Sequence, residues 1–211
     1  MAALFPSLCR MVFDMGSLIF DSTAHRYYMD GVELPSVTQI TRFLSYDYKS
    51  AQPWMAEIAA ERGTAVHEAC MLIDYGEEPE ETPEIFGFLT AYRRFLADYY
   101  PSWDGIERPL ASLELGYAGT VDRYGTIGGE RCIVDLKTGQ RHIPALTAQL
   151  NGYRILLDGR RFFADRLYGL YLRRDGTYEL CECDTSNDTF MACMTLHKAT
   201  EAAKRRSRRS E

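Results

Sequence analysis

The stretch that decides the fold is GTVDRYGTIGGERCIVDLKTG, residues 119–139, in which two strand-like runs flank a pair of glycines. Gly128-Gly129 is its clearest turn signal, and a two-residue turn there fixes the register of the strands on either side. Counting outward from the turn places Asp122 directly across from Asp135, with Cβ atoms about 4.5–5.5 Å apart. The sequence therefore predicts an antiparallel hairpin that carries two facing carboxylates.

Two like charges at that distance destabilise a hairpin unless something compensates them, and a divalent cation or a shared proton can do so. Lys137 lies two residues beyond Asp135, so its side chain leaves the strand by the same face. An ammonium group beside two carboxylates disfavours proton sharing and suits metal-dependent hydrolysis of a phosphate ester. A surface hairpin that carries these residues for solubility stays open, and a bulge near Gly125 would shift the register by one.

The composition describes an ordinary globular protein: 211 residues, of which 46% are hydrophobic and 26% charged. It predicts one α/β domain over residues 1–211, with its core at about 18–205 and a basic tail at 204–211. No run approaches the roughly 18 apolar residues of a membrane span, so we expect a cytoplasmic protein without a membrane partner.

The net charge of −6 argues against a protein that coats nucleic acid, because phosphate binding depends on Lys and Arg. A nucleic-acid enzyme with acidic residues at a metal site gives the same sum. The tail KRRSRRSE is either a solvated end or a phosphate contact.

The six cysteines lack the spacing of a disulfide framework. Cys181, Cys183 and Cys193 allow a metal cluster. The alternation in TYELCECD favours the simpler interpretation, in which Cys181 and Cys183 share one face of a strand.

Four short motifs occur in an order that resembles RecB-like nucleases of the PD-(D/E)xK superfamily, in particular the phage-type exonucleases. They are GTAVH (63–67), GTVD (119–122), DLK (135–137) and QLNGY (149–153). With the opening RYYMDGVELPSVTQI, the resemblance covers residues from about 18 to 183. It implies a restriction-endonuclease-like α/β core, a central mixed β-sheet flanked by helices.

The resemblance also implies a DNA nuclease, most simply an exonuclease, that uses Mg²⁺ or Mn²⁺ to activate a water. The metal ligands that it implies are His67, Asp122, Asp135 and the Leu136 carbonyl. Glu107 and Glu114 are weaker candidates for an additional acidic ligand, and we prefer Glu107.

Lys137 would activate or position the nucleophile. Gln149 and Tyr153 stand at i and i+4, so they share one helix face, and the resemblance places that face beside the catalytic strand. There they would contact the DNA phosphate or orient the lysine, while Thr138 would contribute a phosphate hydrogen bond.

The resemblance extends to partners. The sequence has neither a four-cysteine iron–sulfur signature nor helicase motifs, which favours a stand-alone enzyme of a phage or mobile element. We expect DNA as its substrate, in the cytoplasm or in a host cytoplasm. An oligomer that grips DNA and a recombination or replication partner protein fit the same expectation.

Two other functions stay open. One is a DNA-end or CRISPR-adaptation binding protein that keeps the fold without cleaving. The other is a metal-free acid–base enzyme that uses the carboxylates as a dyad on a small substrate.

Overall fold

The structure, a computed structural model, describes residues 13–14, 17–21, 24–44 and 53–208. The first part of the chain forms a small antiparallel sheet whose strands pair in sequence order. Its strands are β1 (Phe13–Asp14), β2 (Ser17–Asp21), β3 (Arg26–Met29) and β4 (Val32–Leu34). Ser36 then caps the short helix α1 (Val37–Thr41) through a capping box with Gln39, and a 3₁₀ turn (Arg42–Leu44) follows.

The second part of the chain forms a five-stranded sheet and four longer helices. Its strands pair in the order β5-β6-β7-β8-β9, antiparallel throughout except for the parallel pair β7 and β8. In chain order the elements are α2 (Pro53–Asp74), α3 (Phe86–Tyr99), β5 (Ser102–Ser112), β6 (Tyr117–Ile127), β7 (Glu130–Lys137), α4 (Ile143–Asp158), β8 (Arg166–Leu172), β9 (Tyr178–Cys183) and α5 (Asp188–Ser207).

Helices cover both faces of this sheet. The apolar side chains of β7 therefore alternate between two separate cores, one on each face. Ile133 packs with residues of α1, α4 and α5 on one face. Val134 and Leu136 pack with residues of α2 and α3 on the other. The predicted α/β class, a central mixed sheet flanked by helices, is confirmed.

The predicted hairpin register is confirmed as far as Arg123 and Val134, whereas the predicted rung between Asp122 and Asp135 is not formed. Ile127 pairs with Glu130, and the ladder runs without a bulge to Arg123↔Val134. Gly128 and Gly129 have φ values of 59° and 85°, and the two-residue hairpin turn of type I′ requires positive φ at both positions.

Strand β6 changes face at Asp122. Tyr117 and Val121, at odd positions, pack in the core on the α4 side. Arg123, also odd, sends its guanidinium to Asp74 on α2, on the opposite side of the sheet. Two odd positions can face opposite sides only if the alternation is interrupted between them. The β6–β7 ladder ends at the same point, although both strands continue, so the sheet opens beside Asp122.

The described cysteines are buried and unpaired, and no group of them lies within ligand distance of one another in the described ranges. Cys181, Cys183 and Cys193 pack in the core on the α4 side, as the strand alternation favoured. Cys9 lies outside the described residues, as do the last three residues of the basic tail. None of the described helices is both long enough and apolar enough to cross a membrane.

Candidate active site

Asp122 occupies the opening between β6 and β7. Its carboxylate is buried, and Oδ2 accepts the backbone N–H of Leu136 at 2.8 Å. This bond replaces a rung of the ladder, because the N–H of Leu136 donates to the side chain of Asp122 and not to a backbone carbonyl of β6. The ladder ends one rung before the predicted pair of aspartates, and the Asp122 side chain turns toward the main chain of β7.

His67 reaches the same opening from α2. Its Nε2 lies 3.1 Å from the Leu136 carbonyl oxygen, and its Nδ1 lies 3.3 Å from Glu107 Oε1 and 3.6 Å from Asp122 Oδ2. Burial lowers the pKa of the imidazole, but the neighbouring carboxylates outweigh burial and raise it to about 9. The protonated imidazole has a donor on each ring nitrogen, and each of them lies near an acceptor.

Glu107 is the third member of this group, and its own backbone is strained. It lies in the interior of β5 with a φ of 44°, in the left-handed region that a non-glycine residue enters at a cost of about 1–3 kcal/mol. Its neighbours Ile106 and Arg108 keep their pairing with β6. One ligand atom each from His67, Glu107 and Asp122 lies within 4.8 Å of the other two.

Asp135 and Lys137 form the other half of the site, facing α4. Lys137 Nζ lies 2.5 Å from Asp135 Oδ2, as expected for two residues on one strand face. Gln149 Nε2 donates to Asp135 Oδ1 at 2.8 Å, and Gln149 Oε1 accepts from Lys137 Nζ at 3.2 Å. The same Nε2 donates to the Tyr153 hydroxyl at 3.0 Å, so the face of α4 that carries both residues lies beside β7.

Burial raises the pKa of both aspartates. Lys137 lowers the pKa of Asp135 and His67 lowers that of Asp122, so each carboxylate has a cation that opposes the effect of burial. The two aspartates interact with different sets of donors. Asp122 faces His67 and the Leu136 amide, while Asp135 faces Lys137 and Gln149.

The grouping of the expected metal ligands in the structure thus differs from the grouping that the resemblance implies. It brings His67, Asp122 and the Leu136 carbonyl together and adds Glu107, whereas the Asp135 carboxylate is held by Lys137 and Gln149. Glu114 is exposed in the turn between β5 and β6, outside the group.

Sequence reasoning missed Arg123, which is fully buried behind the site. Its Nε donates to Asp74 Oδ2 at 2.6 Å, and its Nη1 donates to Glu107 Oε1 at 2.9 Å and to the Asp122 carbonyl at 2.8 Å. One guanidinium therefore holds the backbone of one candidate ligand and the side chain of another. Nothing in the local sequence distinguishes it from an exposed strand arginine.

Asp74, the last residue of α2, balances this buried cation. Its Oδ1 accepts the Tyr92 hydroxyl at 2.6 Å and the Trp103 indole N–H at 3.2 Å. Burial raises the pKa of its carboxyl, and Arg123 lowers it. A buried ion pair is tolerated when further hydrogen bonds reach its members, and here Tyr92 and Trp103 donate to Asp74.

Comparisons with known proteins find distant likenesses. A search of solved structures matches an alkaline exonuclease (LHK-Exo) from Laribacter hongkongensis, with 13% identity, 84% of this chain and 95% of that chain covered, and a TM-score of 0.42. LHK-Exo in complex with dAMP matches with 15% identity, the same coverage and a TM-score of 0.40. No protein-family model matches the sequence, and a search of curated proteins finds no match.

The donor set at the opening has the chemistry of a divalent-metal site. It combines an imidazole, two carboxylates and a main-chain carbonyl. The cluster can therefore bind a divalent cation.

Replacing Arg123 by Met should destabilise the protein by about 3–5 kcal/mol, because Asp74 would stay buried without its cation. The double variant Arg123→Met/Asp74→Leu should lose less than the sum of the two single changes, since it leaves no unpaired charge between them. Urea unfolding curves of the wild type, both single variants and the double variant measure this coupling.

Arg166→Met serves as the matched control, because Arg166 makes its ion pairs with Glu130 and Glu182 in solvent. It should change stability far less than Arg123→Met. Equal losses in the two arginine variants, or strictly additive losses in the double variant, would contradict the role of the buried pair.

Proposed function

We propose that this protein is a metal-dependent nuclease of the RecB-like PD-(D/E)xK type that hydrolyses phosphodiester bonds in DNA, as an exonuclease. The observation that carries the proposal is a single opening in the sheet that holds two kinds of groups. The His67–Glu107–Asp122 cluster lies on one side of Leu136, and the Asp135–Lys137 pair lies on the other.

The charges of this opening favour a divalent cation. Four carboxylates face three cations when His67 is protonated, which leaves one negative charge in excess. A divalent cation that takes the place of the imidazolium proton brings the sum to zero. The groups counted are Asp74, Glu107, Asp122 and Asp135 against His67, Arg123 and Lys137.

His67, Asp122 and the Leu136 carbonyl would hold the cation, with Glu107 and Asp135 on either side. A set of mainly hard oxygen donors with one imidazole suits Mg²⁺ and Mn²⁺. When bound, the cation would neutralise charge on the scissile phosphate and lower the pKa of a water. Arg123 keeps the Glu107 carboxylate and the Asp122 main chain in place for this role.

Lys137 would supply the ammonium that orients the attacking water and stabilises the negative charge developing on the phosphate. Gln149 fixes its position, because its amide oxygen accepts from Lys137 while its amide nitrogen donates to Asp135. Tyr153 accepts a second hydrogen bond from that nitrogen, which determines the orientation of the amide. Lys137 is a third exposed and can therefore reach a substrate.

The alternatives are less consistent with these contacts. A metal-free dyad needs two carboxylates that share a proton, whereas Asp122 and Asp135 interact with separate donors. A non-cleaving binding protein does not need the ammonium group of Lys137 to be held against the buried carboxylate of Asp135.

Digestion of end-labelled DNA tests the proposal. Linear single-stranded or duplex DNA should be degraded with Mg²⁺ or Mn²⁺ and left intact with EDTA, because the carboxylate cluster lacks its cation in EDTA. Covalently closed circles should survive under conditions that degrade linear DNA. Degradation that persists in EDTA would favour the acid–base alternative, and rapid cutting of circles would replace the exonuclease by an endonuclease.

Glu107→Gln should weaken the binding of Mn²⁺ by about tenfold or more, measured by isothermal titration calorimetry. The amide keeps the shape of the side chain and an acceptor for Arg123 and His67, but it removes the negative charge. Glu114→Gln is the matched control and should bind Mn²⁺ as the wild type does. Unchanged affinity in Glu107→Gln would remove Glu107 from the ligand set.

Lys137→Ala should lower the cleavage rate by at least about a hundredfold, because charge stabilisation at the phosphate is lost. Binding of Mn²⁺ and of DNA should persist, as measured by calorimetry and fluorescence anisotropy. Lys198→Ala, on the exposed side of α5, controls for the loss of one positive charge. Full activity in Lys137→Ala would overturn the mechanism.

A further inference from the structure

A basic cleft opens next to the site. It has a volume of about 680 Å³ and lies between α2, the loop that follows β7 and the turn between β8 and β9. Thr138, which directly follows Lys137, forms part of its wall, so the wall begins one residue beyond the site. Four arginines line it: Arg62, Arg141, Arg173 and Arg174.

Arg62 contributes a hydrogen-bond donor for which the described residues offer no acceptor. Its guanidinium carbon lies 5.7 Å from the centre of the Phe88 ring, which positions the side chain against α3. Its Nε is buried and has no hydrogen-bond partner within the described part of the chain. A buried N–H without a partner costs free energy, so an acceptor that enters the cleft would relieve that cost.

Two of the other arginines of the cleft are held by one acidic neighbour. Glu179 accepts from Arg141 at 2.7 Å and from Arg173 at 2.6 Å. Asp175, the acidic residue of the turn, is bonded within the turn itself. Its Oδ1 accepts from the backbone N–H and the hydroxyl of Thr177.

The turn that carries Arg174 is closely packed against α3. A Cβ added at Gly87 would lie 1.8 Å from the Arg174 carbonyl oxygen, so the two backbones are in direct contact. The backbone of this wall is therefore fixed by packing, while the side chain of Arg174 itself is exposed.

The cleft is cationic in a protein with a net charge of −6, since four arginines line it and Asp175 is the acidic residue among its described lining, with Glu179 paired to two of the arginines. Guanidinium groups present paired N–H donors that match two oxygens of a phosphate. Several of them along one continuous cleft suit a polyanion with regularly spaced phosphates.

We propose that this cleft binds the phosphates of the nucleic-acid strand that adjoin the scissile phosphate. The inference rests on the proposed nuclease function, because it takes Lys137 as the point of cleavage. A strand with its scissile phosphate at Lys137 passes Thr138 and enters the cleft, where Arg62 and Arg174 contact its next phosphates. Nucleic-acid affinity then depends on these arginines separately from the metal cluster.

The test measures binding and leaves out cleavage. Arg62→Ala and Arg174→Ala are made in the Lys137→Ala background, and the affinity for a fluorescent single-stranded oligonucleotide is measured with Ca²⁺ over a series of salt concentrations. Each change should weaken binding by about tenfold. It should also reduce the slope of log K against log salt by about 0.7, the value for one phosphate contact to a single strand.

Two further variants separate charge from folding. Arg62→Lys keeps the charge and should restore the salt slope while recovering only part of the affinity, because it lacks the planar fork. Arg160→Ala is the matched control. Arg160 is exposed in the loop between α4 and β8, whereas Lys137 lies at the end of β7. Its affinity and slope should equal those of the background, and thermal melting should show that all variants fold.

The outcomes distinguish this inference from the proposed function. If the wild type cleaves DNA but Arg62→Ala and Arg174→Ala bind with unchanged affinity and slope, the cleft is not on the strand path and the inference fails alone. If inorganic phosphate displaces the oligonucleotide as well as a second oligonucleotide does, the cleft is a free-anion site and the inference also fails. If the wild type neither binds nor cleaves DNA, the proposed function fails, and the inference fails with it.

Discussion

The burial of carboxylates where β6 and β7 part is the constraint on which the rest of the structure depends. A buried carboxylate needs hydrogen-bond donors and cations close by. Here α2 supplies His67, β7 supplies Lys137 and α4 supplies Gln149. One face of α2 serves the site twice, because His67 and Asp74 stand two turns apart. His67 approaches Asp122 directly, and Asp74 holds Arg123, which in turn holds the Asp122 carbonyl.

The strain at Glu107 belongs to the same arrangement. A strand residue with positive φ persists only when its surroundings determine it, and the pairing of Ile106 and Arg108 with β6 does so on both sides. Arg123 then fixes the carboxylate that the strained backbone presents. The site is thus preorganised before any cation or substrate binds, at a cost in stability that the two cores on either side of the sheet offset.

Much of the local arrangement followed from the sequence. The glycine pair predicted the turn and the hairpin register, and the two-residue period of a strand predicted that Asp135 and Lys137 share a face. The spacing of Gln149 and Tyr153 predicted one helix face. The resemblance led to His67 and the Leu136 carbonyl, and the structure brings both beside Asp122. The shared faces depended on a period that backbone geometry fixes within a few residues, whereas His67 and the Leu136 carbonyl came from the resemblance alone.

What the sequence determined by itself is the hairpin, its register and the chemistry of the residues that it carries. Only the tertiary structure decided that Glu107 joins His67 and Asp122 while Asp135 is held by Lys137, because this depends on a left-handed residue inside β5. It alone also paired Arg123 with Asp74, 49 residues away. The physical reason is that periodicity acts along the chain, whereas a buried charge finds its partner only through the packing of distant elements.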